Sequence, residues 1–201
     1  VERQWALMSS IDYLNRAKID GDIVECGVWR GGNMLLAKDL CRIAGADRQF
    51  YLFDTFTGMS EPSQHDITYS GVPATSNFEE RRKEEHVDWA YASIEDVQKN
   101  FEQAGLLDQS VHFIKGKVED TLTNSNNLPS RIALLRLDTD WYESTKIELE
   151  ILYPRLVSGG ILIIDDYGHW KGARKAVDEY FSNQATLMLR IDYTARLIIR
   201  R

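Results

Sequence analysis

Apolar positions along this chain follow two rhythms. Short solid runs, Ile23-Val24, Phe50-Tyr51-Leu52-Phe53, Val111-His112-Phe113-Ile114, Ile132-Ala133-Leu134-Leu135 and Ile161-Leu162-Ile163-Ile164, have the length and branched content of strands buried on both faces. Between them the apolar residues recur every three or four positions. Trp5, Met8, Ile11, Leu14 and Ala17 predict an amphipathic helix over 2–18, placed against one sheet edge. Further helices are predicted over about 33–44, 93–104, where Ser-x-x-Asp opens the pattern, 144–153 and 171–182. Segments 186–191 and 195–199 read as two closing strands joined by a tight turn. Strands alternating with helices predict an α/β fold: a mostly parallel seven-stranded sheet, helices on both faces, and an antiparallel hairpin at the end.

The stretch from Asp22 to Asn33 is where such a sheet binds a ligand, because an apolar strand runs into Gly27, Gly31 and Gly32 and then into a helix. A pyrophosphate-binding turn needs Gly-x-Gly-x-x-Gly, so that phosphates lie on bare backbone. Here the spacing is Glu-x-Gly-x-x-x-Gly-Gly, with Trp29 and Arg30 inside the turn. Glu25 before the first glycine and bulk within the loop favour a cofactor that carries no phosphate. S-adenosylmethionine fits, with Glu25 drawing its ammonium and the helix-start amides and Asn33 taking its carboxylate. A turn shaped only for packing is the competing reading of the same glycines.

The second strand ends at Asp54, across from the glycine turn, where a carboxylate meets ribose hydroxyls or caps a helix. After the third strand, the loop from Gly116 to Asp120 brings backbone amides and Glu119 to the adenine end. His112 lies within that strand and reads as a packed or edge histidine. Segment 57–90 is long and irregular and contains the run Glu79 to Glu85, which reads as a solvated helical face. Phe56, Met59, Tyr69 and Trp89 give it and its entry the apolar groups of a lid insertion.

Asp138, Asp165 and Asp166 each follow an apolar strand directly, and the two strands are predicted to be neighbours. Carboxylates so gathered repel unless a cation sits among them. An all-oxygen set with no cysteine or clustered histidine suits Mg²⁺, or Mn²⁺ or Ca²⁺, with positions left for substrate oxygens. Two candidates for a general base stand close in sequence, His169 and Asp140.

Composition narrows the field. With 201 residues and 43% hydrophobic content, and with no linker, a single domain over 1–201 is expected. A net charge of -7 with interspersed signs argues against a nucleic-acid surface. Only Cys26 and Cys41 are present, without metal-ligand spacing, which fits reduced thiols and a cytoplasmic location. No apolar run approaches the ~20 residues of a membrane span. Val1 in place of methionine is expected to mark a trimmed start.

Five ordered blocks resemble the macrocin O-methyltransferase family, metal-dependent sugar O-methyltransferases of macrolide tailoring. They are Val24 to Gly32, Leu52 to Phe56 with Gly58, Arg136 to Thr145, Ile164 to Tyr167, and Ala176 to Tyr180. The resemblance implies a class I S-adenosylmethionine methyltransferase fold. It implies Mg²⁺ on Asp138, Asp165 and Asp166, and cofactor contacts from Glu25, Cys26, Gly27, Gly31, Asn33, Asp54, Thr55, Phe56, Val118 and Glu119. The acid placement is also similar to catechol O-methyltransferase, but Trp141 stands where that enzyme has its lysine base. The expected partner is a hydroxylated, sugar-containing small molecule, with neither nucleic acid nor membrane; a homo-oligomer is compatible with the composition. Rival readings are a metal-dependent hydrolase or nucleotide-binding dehydrogenase on the same sheet, and a cofactor-binding module without catalysis.

Overall fold

The computed structural model describes residues 1–201. Five parallel strands, β1 (Asp22–Cys26), β2 (Phe50–Asp54), β3 (Val111–Lys115), β4 (Ile132–Leu137) and β5 (Leu156–Ile164), form most of one sheet. The closing strands β6 (Met188–Arg190) and β7 (Arg196–Ile199) complete the order β3-β2-β1-β4-β5-β7-β6, with β7 antiparallel to both its neighbours. From β1 the sheet grows one way to β2 and the other way to β4, so the point where winding reverses lies between β1 and β4. A crevice opens there at the carboxyl ends of the strands.

The solid apolar runs are solid because both sheet faces are covered. Side chains alternate across a strand, so Ile23, Leu52, Leu134 and Ile163 enter one core cluster while Val24, Phe53, Leu135 and Ile164 enter another. Helices α1 (Glu2–Arg16), α2 (Gly32–Ile43) and α4 (Ile94–Gln103) cover the first face. Helices α6 (Tyr142–Ile151) and α7 (Lys171–Phe181) cover the second and pack on each other. The one-turn helix α5 (Val118–Thr121) follows β3. The mixed-sheet expectation and the closing hairpin are both seen. No helix is long and apolar enough to cross a membrane.

One placement differs from the sequence reading. α1 lies on a sheet face and not at an edge, because Leu7, Ile11 and Leu14 bury into the cluster that holds Ile23, Ile161 and Ile163. Periodicity reveals that a helix has an apolar stripe, not which surface that stripe meets. The edges are β3 and β6.

Segment 57–90 contains one regular helix, α3 (Ala74–Arg81), so the charged run is helical only to Arg81. Asp66 pins this segment to the rest of the molecule. Its Oδ2 accepts from the Ser63 amide at 2.6 Å and the Ser63 hydroxyl at 2.8 Å, and its Oδ1 accepts from the Tyr142 amide at 2.8 Å. The residue before α6, Trp141, gives that helix no side-chain cap. Asp66 therefore satisfies an orphan amide of α6 from a distant part of the chain and places its charge at the helix's positive end. Met59 and Trp89 then pack on Trp141 and Trp170. Asp66→Ala is expected to cost about 1–2 kcal/mol, the range for losing a cap, and to expose 57–90 to proteolysis before global unfolding. Thermal melting and limited digestion check both; a digestion pattern like the wild type's would show that the indole contacts and the backbone bridge from Thr68 to Trp170 hold the segment without it.

Candidate active site

Gly27 ends β1 with φ +81, and a side chain there would collide with the Asp138 carbonyl. Only glycine lets the β1 turn pass this close to the end of β4. Asp54, at the end of β2, fixes the same turn from the other side. Its Oδ2 accepts from the amides of Val28 and Trp29 at 2.8 and 3.0 Å, and its Oδ1 from the Phe56 amide at 2.8 Å. Burial raises its pKa while these amide bonds pull it back. The Trp29 backbone, at φ +47, is held in the left-handed region by those bonds and by its indole, which donates to the Tyr91 carbonyl at 3.2 Å.

A cavity open to solvent lies over these turns. Of the sequence-predicted cofactor residues, Gly27, Asp54, Thr55, Val118 and Glu119 line it. So do Asp138 and Asp140, which brings one of the three predicted metal acids and one predicted base to the same chamber, while Asp165 and Asp166 are buried outside its lining. Glu25, Cys26, Gly31, Asn33 and Phe56 stand behind the wall. Cys26 turns into the second core cluster, on the opposite face to Glu25, as strand alternation requires. Gly31 caps α2 at φ +78, and Phe56 packs in the first core.

Behind that wall lies a charge network centred on Arg136, which sequence reasoning passed over. It is the lone charge inside the apolar run of β4, aligned with Glu25 of β1, and that isolation was the available signal. Its Nη1 donates to Glu25 Oε1 at 2.6 Å and to Asp138 Oδ2 at 2.7 Å, and its Nη2 pairs with Asp165 Oδ1. Burial opposes its charge, but Asp138, Glu25 and Asp165 more than offset that. A cation so enclosed is tolerable only because every face meets an acid. Glu25 is fully buried and its pKa is pushed up to about 7 by burial, against the pull of Arg136. Its Oε1 also accepts from Asn33 Nδ2 at 3.2 Å, while Oε2 has no partner. A buried oxygen without a donor is costly, and an ammonium group brought to it would supply one.

Asp138, Asp165 and Asp166 present carboxylate oxygens that all lie within 4.8 Å of one another. β4 and β5 are adjacent and in register, Leu137 opposite Ile164, which delivers the three acids together. Burial and mutual repulsion raise Asp165 to about 6 and push Asp166 well above the carboxylate range, Asp140 contributing to the latter. Hard oxygen donors, close spacing and a surplus of negative charge fit a divalent cation.

Asp140 takes φ +66, which Asp tolerates better than most residues. Its Oδ1 accepts from the Trp170 indole at 2.6 Å, and its amide donates to Asp166 Oδ2 at 3.1 Å. Burial, then Asp138, raises its pKa to about 7. His169 is placed differently. Its Nδ1 is 2.6 Å from the Tyr193 hydroxyl, burial lowers its pKa, and it is not among the residues lining the chamber.

Residues 2–199 match the family described as Macrocin-O-methyltransferase (TylF). The chain is 40% identical to the 8-demethyl-8-(2,3-dimethoxy-alpha-L-rhamnosyl)-tetracenomycin-C 4'-O-methyltransferase of Streptomyces olivaceus over 163 residues, 81% of this chain and 58% of that protein. It is 35% identical to the mycinamicin III 3''-O-methyltransferase of Micromonospora griseorubida over 175 residues, 87% of this chain and 65% of that protein. The chain thus spans less than two thirds of the length of these curated relatives. Among solved structures, that of the O-methyltransferase NovP superposes with a TM-score of 0.84 at 31% identity, covering 99% of this chain and 79% of that one. The sheet is therefore the class I methyltransferase sheet.

Proposed function

The chain belongs to the macrocin O-methyltransferase family, and we propose that it transfers a methyl group from S-adenosylmethionine to a hydroxyl of a sugar or other polyol in a natural product or glycan, with Mg²⁺ at the acid cluster. The observation that carries this is one chamber shared by the glycine turn, Asp54 and Glu119 on one side and by Asp138 and Asp140 on the other. S-adenosylmethionine supplies an electrophilic methyl on a sulfonium. Asp138, Asp165 and Asp166 would hold Mg²⁺, which would supply Lewis acidity toward a hydroxyl.

The protein's own groups do the rest. Asp54 and Glu119 face the donor's ribose and adenine, Glu25 behind the glycine turn supplies negative charge toward its ammonium, and the positive start of α2 draws its carboxylate. Asp140 accepts the proton as the acceptor oxygen forms its bond to the methyl carbon and the carbon–sulfur bond breaks, giving a methyl ether and S-adenosylhomocysteine. Burial, which raises the pKa of Asp140, suits that task. Segment 57–90 closes over the acceptor through Met59 and Ser60.

Asp54→Ala is expected to weaken S-adenosylhomocysteine binding by about tenfold or more, since it removes a charged acceptor and frees the Val28 and Trp29 amides. Titration calorimetry reads this directly, and unaltered affinity would dismiss the assignment. Mass spectrometry of hydroxylated acceptors, scoring gain of one methyl with and without EDTA, tests the whole reading. Methyl gain unaffected by EDTA would remove the cation from it.

A further inference from the structure

Arg3 lies outside every motif in the sequence, yet it reaches the edge of the acid cluster. Its Nε donates to Asp192 Oδ2 at 2.8 Å, its Nη2 to Thr194 Oγ1 at 2.5 Å, and its Nη1 pairs with Asp165 Oδ2. The first helix thus delivers a positive charge to an acid whose other oxygen is already paired with Arg136. The two guanidiniums differ in freedom. The Arg136 side chain is 8% exposed and locked by three acids, whereas that of Arg3 is 41% exposed and hangs from the first turn of α1. Arg3 can swing into water; Arg136 cannot.

This step rests on the reading that Asp138, Asp165 and Asp166 hold a divalent cation. The geometry points to Arg3 as a resident counter-charge that competes with that cation for Asp165, so that filling the site and seating the start of α1 oppose each other. A guanidinium cannot shed its proton to make way. It either leaves Asp165 or remains there and repels the incoming ion. Linkage makes the effect mutual: Arg3 weakens the cation by the factor by which the cation loosens Arg3.

The test is a titration of Mn²⁺ into protein saturated with S-adenosylhomocysteine, followed by calorimetry and by the paramagnetic signal of free Mn²⁺. Arg3→Met keeps the apolar stem and removes the charge, and is expected to bind Mn²⁺ at least about fivefold tighter than wild type. Arg3→Lys keeps a charge and is expected to stay within about twofold. Hydrogen exchange gives a second readout: the amides of Ala6 to Met8 exchange faster in wild type when Mn²⁺ is added, and in Arg3→Met they do not respond. An Arg3→Met affinity equal to or weaker than wild type overturns the competition, as does wild-type exchange in α1 that ignores Mn²⁺. Asp165→Asn separates the two layers. If wild type binds Mn²⁺, Asp165→Asn does not, and Arg3→Met is unchanged, the competition alone fails. If wild type takes up S-adenosylhomocysteine and no Mn²⁺, the cation site fails and the competition with it.

Discussion

Asp165→Asn combined with Asp166→Asn is expected to abolish methyl transfer while leaving S-adenosylhomocysteine affinity within a few fold of wild type. Both acids sit at the end of β5, and the residues proposed to hold the cofactor sit at the ends of β1, β2 and β3. The double change removes two of three close-set carboxylates and leaves a single acid, Asp138, too few for a dication to prefer over water. Asparagine keeps the shape and still accepts from the Asp140 amide, so the loop that carries Asp140 stays formed. Arg136 retains Glu25 and Asp138 as partners, which guards against the collapse that follows an uncompensated buried charge. The rate, the calorimetric affinity and the melting curve are read on the same preparation. Turnover at the wild-type rate would take the cation out of the mechanism, whereas a joint loss of folding would leave the cofactor titration flat and be seen at once.

Asp140→Asn is expected to lower kcat by about 10²–10⁴, the range for removing a general base, with cofactor affinity and thermal stability nearly unchanged. The substitution is mild for the fold. Asparagine is at ease in the left-handed backbone region that Asp140 occupies, and its amide oxygen can still accept from the Trp170 indole. What it cannot do is take a proton. His169→Ala serves as the comparison, since His169 is engaged with Tyr193 outside the chamber. A tenfold or larger loss in His169→Ala with little loss in Asp140→Asn would exchange their roles.

The periodic parts of the chain are legible in the sequence. Solid apolar runs announce strands buried on both faces, and the acids that follow two of them announce where β4 and β5 meet. Residues whose importance comes from the third dimension are not. Arg136 interrupts an apolar run, yet nothing in the run says that Glu25, Asp138 and Asp165 surround it. Asp66 sits in an irregular stretch, and its partner at the start of α6 lies 76 positions away. Glu148 occupies the buried side of α6, where helical spacing alone would place an apolar residue. There it accepts from Thr139 at 3.0 Å and burial pushes its pKa well above the carboxylate range. Such long-range pairings leave no local periodicity, whereas propensity and spacing report on neighbours along the chain.

The manner in which 57–90 is attached bears on how it can be replaced. It contributes no strand to the sheet; one buried carboxylate, a few indoles and a short antiparallel bridge from Thr68 to Trp170 anchor it. A segment fastened in this way can be exchanged as a cassette, provided an aspartate returns to the start of α6 and the backbone bridge to Trp170 is restored. On the proposed function, replacing this segment alone alters which acceptor is admitted, without retuning the strand-end acids beneath.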